Sequence, residues 1–131
     1  SKKRLEQSGF KLDRRVIQHE PLGFHDYNHL QMNAYAVVSD SGTLPEESSY
    51  FTSIGKPFPA VCIRTSTERP EALDAGTVRL VGTDYGKIVT EVSALLNEPA
   101  RYEAMSHAVN PYGDGLACCR IADFLEKEVQ V

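Results

Sequence analysis

Apolar positions fall alternately into short strand-length runs and into stretches with helical spacing, and that alternation predicts the architecture. Residues 2–8 read as a helix that stops at Gly9, where a residue without Cβ accepts a positive φ. Residues 15–19, Arg-Val-Ile-Gln-His, read as a first strand closed by Glu20-Pro21. Tyr27, Leu30 and Gln31 recur at helical spacing within 26–33, and 35–39 forms a nearly continuous apolar run. Asp40-Ser41-Gly42-Thr43 is a turn, and Leu44-Pro45-Glu46-Glu47 carries proline and acids where the first turn of a helix favours them. That helix is expected to reach Ile54, with Gly55-Lys56-Pro57 as its stop signal.

Residues 59–63 and 77–81 read as two more strands, separated by the polar loop 64–71 and a helix entered at Pro70. Between Asp84 and Leu96 the apolar residues Ile88, Val89, Val92, Leu95 and Leu96 give the stripe of a packed helix. Pro99 opens another helix to about Ala108, and Asp114 caps a last one through Ile121, Phe124 and Leu125. Strands apolar on both faces and joined by helices predict a Rossmann-like α/β fold, a parallel sheet flanked by helices. Ligands of such sheets bind at the carboxyl ends of the strands, here 39–43, 64–71 and, after the first strand, 22–27.

Composition narrows the function classes. The 131 residues carry 14 Lys and Arg against 18 Asp and Glu, a formal charge of -4, which disfavours a protein that must neutralise many nucleic-acid phosphates. No apolar run approaches the roughly 20 residues of a membrane span, and no apolar stretch after the basic start suggests a signal peptide. Three cysteines, two of them adjacent at 118 and 119, form neither a disulfide framework nor a CxxC motif, so a reducing cytoplasm is the expected compartment. The chain opens on Ser-Lys-Lys-Arg inside an apparent helix rather than on Met, so it is expected to be part of a longer parent.

Several residues offer chemistry. The Ser41-Gly42-Thr43 turn lies between a buried strand and a helix N-terminus, where backbone N–H groups favour an anion; the same residue types also make an ordinary N-cap. Glu46 and Glu47 could complement the helix dipole, or one could accept hydrogen bonds from a ribose diol, and local sequence does not choose between them. Arg64 and Arg69 flank hydroxyl and carboxyl groups in one loop, which reads equally as a diphosphate clamp or as an ion-paired loop. His25 and His29 stand at i, i+4 without further zinc ligands, so an unliganded exposed pair is expected. Tyr27 is either a core aromatic or a platform under a planar base, and Cys118 and Cys119 are expected to pack.

Taken together, Asp40-Ser-Gly-Thr-Leu-Pro-Glu-Glu47, Gly55-Lys-Pro57, Arg64-Thr-Ser-Thr-Glu-Arg-Pro-Glu71, Ala75-Gly-Thr-Val-Arg-Leu-Val-Gly-Thr83 and Asn110-Pro-Tyr-Gly-Asp-Gly115 resemble the non-hydrolysing UDP-N-acetylglucosamine 2-epimerases. Order and spacing agree from Lys2 to about Leu125. The resemblance implies a glycosyltransferase-B-like parent of two Rossmann lobes, of which residues 1–131 are the UDP-binding C-terminal lobe and the N-terminal lobe is absent. It implies that Ser41, Gly42 and Thr43 hold the UDP phosphates, Glu47 takes the ribose hydroxyls, Tyr27 and the Leu22 backbone face the uracil, and Arg69 holds the diphosphate-sugar. Thr43 and Tyr27 depart from the family's usual Gly and Phe, and with Leu44-Pro-Glu-Glu-Ser-Ser49 they resemble the branch acting on UDP-2-acetamido-2,6-dideoxy-L-talose.

The implied reaction is inversion at C2 by elimination and return of UDP, in cytoplasmic synthesis of surface-polysaccharide precursors. The resemblance implies a homodimer for the whole protein and no metal or redox cofactor. The family's proton-transferring carboxylates and catalytic histidine belong to sequence outside this chain, so none of these roles falls to Glu46, Glu68, Asp114 or any histidine here. Outside this reading stand the donor lobe of a glycosyltransferase and a non-catalytic nucleotide-sugar sensor.

Overall fold

The computed structural model describes residues 2–67, 70–109 and 111–129. Its elements run α1 (Lys2–Ser8), α2 (Phe24–Met32), β1 (Val37–Ser39), α3 (Leu44–Ser53), β2 (Ala60–Cys62), α4 (Pro70–Ala75), β3 (Val78–Leu80), α5 (Tyr85–Asn97), α6 (Pro99–Ser106) and α7 (Ala117–Val129). The strands pair in parallel in the order β1-β2-β3, with Val37, Ala60 and Val78 in one row and Ser39, Cys62 and Leu80 in another. Helices α3 and α4 form the connections between successive strands.

The period of two along β2 distributes its side chains between two cores. Ala60 and Cys62 join Leu44, Phe51, Phe58 and Val78 on one face, while Val61 joins Val81, Leu95 and Met105 on the other. Both faces of the central strand are therefore covered, which explains why 59–63 reads as an unbroken apolar run rather than an alternating one. The result is the three-layer, Rossmann-like arrangement expected from the sequence.

Local chemistry sets the position of α3. Its N-terminal turn follows β1 directly, and Gly55, at φ 74°, closes its C-terminus. There Lys56 N–H donates to Phe51 O at 2.8 Å and Gly55 N–H to Thr52 O at 3.2 Å, the paired bonds of a Schellman motif. Two fully buried serines tie the same helix to the sheet. Ser48 Oγ donates to Phe58 O at 3.0 Å, and Ser49 Oγ lies 3.3 Å from Thr77 Oγ1. Buried polar groups with fixed partners favour one register of α3 over its neighbours, and that register carries Glu47.

One predicted element does not form. Residues 15–19 are not a strand, and Val16 and Ile17 are 52% and 87% exposed. Val16 N–H donates to Asp13 O at 2.9 Å, and the Asp13 carboxylate accepts from Arg15 N–H at 2.9 Å and from its guanidinium at 2.8 Å. The Asp13 side chain thus offers the backbone a turn in competition with a ladder, and the apolar run alone does not decide between them. The exposed Asp13 carboxyl titrates below its usual range because of that guanidinium.

The last helix also departs from expectation. Cys118 and Cys119 are exposed rather than packed, and α7 buries no residue among those described. Asp114 accepts from Leu116 N–H at 3.0 Å and from Arg120 at 2.9 Å, fixing the entry to α7.

Candidate functional site

The carboxyl end of β1 runs into the 40–43 turn, and the carboxyl ends of β2 and β3 run into Ile63-Arg64 and Val81-Gly82. An open cleft of about 520 Å³ lies among these ends, lined by Asp40, Gly42, Arg64, Thr65, Ser66 and Thr83. A second cleft of about 610 Å³ adjoins the start of α5, where Lys87 lines it, and shares Arg64 and Thr65 with the first. Arg64 and Thr65 thus line both clefts. A Cβ on residue 42 would lie 3.2 Å from Arg64 Nη1, so glycine lets the guanidinium approach the turn backbone closely.

The turn hydroxyls are arranged in a chain. Ser41 N–H donates to Ser39 Oγ at 3.0 Å, Ser41 Oγ and Thr43 Oγ1 are 3.0 Å apart, and Thr43 Oγ1 donates to Glu47 Oε1 at 2.6 Å. Thr43 occupies the N-cap of α3 yet makes no side-chain cap bond. Its hydroxyl is spent on Glu47 instead. An ordinary Thr cap would satisfy an N–H one turn into the helix, so the arrangement is not that of a simple cap.

Glu47 is the hub. Its Oε2 accepts from Gln31 Nε2 at 2.5 Å and lies 3.5 Å from the Tyr27 hydroxyl, which itself lies 3.0 Å from Gln31 Nε2. The Tyr27 phenol is raised above its ordinary pKa, first by burial and then by the neighbouring Glu47 charge. Tyr27 therefore stays a neutral hydroxyl through the physiological range, and its favourable state is lost only as pH rises through that elevated value. The exposed Tyr27 ring thus stands beside the half-buried Glu47 carboxylate.

A family model described as UDP-N-acetylglucosamine 2-epimerase matches residues 1–126. The chain belongs to the UDP-N-acetylglucosamine 2-epimerase family. It is 48% identical over 111 residues to the UDP-N-acetylglucosamine 2-epimerase of Escherichia coli K12, covering 85% of this chain and 28% of that protein. S. aureus MnaA, solved with UDP, superimposes with a TM-score of 0.83 at 31% identity, over 97% of this chain and 33% of that one. The epimerase of Neisseria meningitidis, bound to UDP-GlcNAc, gives 0.73 at 36% identity, over 82% and 28%. The chain thus spans roughly a quarter to a third of the length of these relatives, and its fold is that of part of a glycosyltransferase-B-like epimerase.

Of the residues that the family resemblance singles out, Tyr27, Ser41, Thr43 and Glu47 come together in one hydrogen-bonded group, with Gly42 against Arg64. Leu22 lies half-buried in the segment entering α2, outside that group. Arg69 and Glu68 lie outside the described residues. Of the two adjacent acids, Glu47 is the one joined to Tyr27 and Gln31, which local sequence left open. His25 and His29 are exposed, and no group of three potential metal ligands occurs among the described residues. Gln31 also joins the hydrogen-bonded group of Tyr27 and Glu47; in sequence its place in the helical stripe reads as packing, and its i, i+4 spacing from Tyr27 is the signal that puts the two on one face.

Proposed function

We propose that this chain is the UDP-binding C-terminal lobe of a UDP-N-acetylglucosamine 2-epimerase that inverts C2 of a UDP-2-acetamido sugar. The observation that carries the reading is the hydrogen-bonded Ser41–Thr43–Glu47 chain, with Arg64 against Gly42 of the same turn, in a family with members solved bound to UDP and UDP-GlcNAc. In this reading the turn and Arg64 take the phosphates, with Arg69 beside them on the diphosphate-sugar. Glu47 accepts from the ribose diol, and Tyr27 and the Leu22 backbone meet the uracil.

Elimination of UDP leaves negative charge on the departing diphosphate, and preorganised donors with a guanidinium stabilise that charge where it develops. Proton transfer at C2 belongs to the N-terminal lobe, the remaining portion of the relatives' length. The exposed apolar residues Ile121, Phe124 and Leu125 of α7 give that lobe a surface to cover. The whole protein is a cytoplasmic homodimer in this account, making precursors of a surface polysaccharide.

The test is NMR of the product formed by the full-length protein in heavy water, with UDP-N-acetylglucosamine and with the 2,6-dideoxy-L-talose analogue. Inverted product carrying deuterium at C2 is expected from one of them. Transfer of the sugar to an acceptor with C2 unchanged would make this a glycosyltransferase lobe, and binding without turnover would make it a sensor.

A further inference from the structure

We propose that Gln31 is a positioning residue that orients the Glu47 carboxylate and thereby sets the preference for ribo- over deoxyribonucleotides; the inference rests on Glu47 being the ribose acceptor. Gln31 is 3% exposed on α2, and its Nε2 donates to Glu47 Oε2 at 2.5 Å. Thr43, from the opposite side, donates to Oε1 at 2.6 Å. Each carboxylate oxygen is held by a short hydrogen bond from a different element, which removes rotation of the carboxylate about its last bond.

A carboxylate offers about four acceptor directions. Two short protein bonds occupy one on each oxygen and leave one on each for the paired hydroxyls of a cis-diol. The Tyr27 hydroxyl, at 3.5 Å, is at the outer limit of hydrogen bonding and takes its closer contact from Gln31.

The amide's orientation is forced, because its carbonyl oxygen against Glu47 would set two acceptors face to face. In consequence Gln31 Oε1 is buried without a hydrogen-bond partner among the described residues. An unsatisfied buried acceptor is destabilising, whereas leucine or methionine would fill similar volume without it. The amide at this position is therefore explained by what its Nε2 does to Glu47, not by packing.

The test uses the full chain and compares affinities for UDP and 2′-deoxy-UDP by calorimetry, since their ratio cancels phosphate titration and general loss of fold. Wild type is expected to prefer UDP. Gln31→Leu should lower that preference by about tenfold, the loss of one charged hydrogen bond's worth of orientation, while 2′-deoxy-UDP affinity stays within about twofold. Gln31→Glu can donate to Glu47 only as a protonated carboxylic acid, so its preference should be larger at acidic than at alkaline pH.

A merely structural Gln31 would weaken both nucleotides together and show no such pH dependence. Preference retained in Gln31→Leu, or a pH-independent ratio in Gln31→Glu should the leucine variant not fold, overturns the role of Gln31 and leaves the Glu47 reading standing. Absence of any preference in wild type overturns the Glu47 reading itself.

Discussion

Residues 1–131 alone are expected to leave C2 of UDP-N-acetylglucosamine unexchanged in heavy water under conditions where the full-length protein exchanges it. In the proposed function the described site supplies leaving-group stabilisation only. Its central carboxylate is engaged by Gln31 and Thr43, and Gly42, Thr43, Thr65 and Ser66 open to solvent on one side. Proton abstraction at C2 needs a base within hydrogen-bond reach and an enclosure that keeps water from the intermediate. With both on the other lobe, the expected loss is the whole catalysed rate rather than a fraction of it. Deuterium at C2 above a Ser41→Ala/Glu47→Ala control would place a base within these residues and refute that division of labour.

Glu47→Ala is expected to weaken UDP by on the order of 1.5–3 kcal/mol, roughly ten- to hundredfold in Kd, and to weaken inorganic pyrophosphate far less. Only UDP presents a diol, and the charged acceptor is what the diol loses. The substitution also strips Gln31 Nε2 and Thr43 Oγ1 of their short acceptor, so thermal unfolding should be followed in parallel. Calorimetry with both ligands separates the two effects. Equal weakening would mean that Glu47 acts only as a charge at the start of α3.

The sheet was legible because its signals were redundant. β2, β3 and α5 each combined an apolar pattern with a stop or cap, such as Gly82 after β3 and Asp84, which accepts from Lys87 N–H at 2.9 Å. The 15–19 segment had apolar residues but no such agreement. There the Asp13 side chain and carbonyl hold the backbone in a turn, a polar signal that an apolar pattern does not register. Cys118 and Cys119 were misread for a related reason. An amphipathic helix predicts that one face will be covered, but the covering surface need not lie in the same stretch of chain.

The candidate site was legible as a set of residue types at strand ends, through the resemblance of the 40–47 and 64–71 segments to one family. What the local motif could not supply was the choice between neighbours. Glu46 and Glu47 are both glutamates in the first turn of α3; the family resemblance points to Glu47, and it is Glu47 that α2 meets with Tyr27 and Gln31. Gln31 itself is visible only once α2 and α3 are seen side by side.

The measurement that bears most directly on the site is a titration of the isotope-labelled chain with UDP, followed by amide chemical shifts. Binding at the Ser41–Glu47 face predicts the largest shifts in residues 22–27, 40–47 and 64–71, with 2′-deoxy-UDP leaving those of 44–47 smaller. Shifts confined to the helices beyond Asp84, with the 40–47 turn unmoved, would contradict the account.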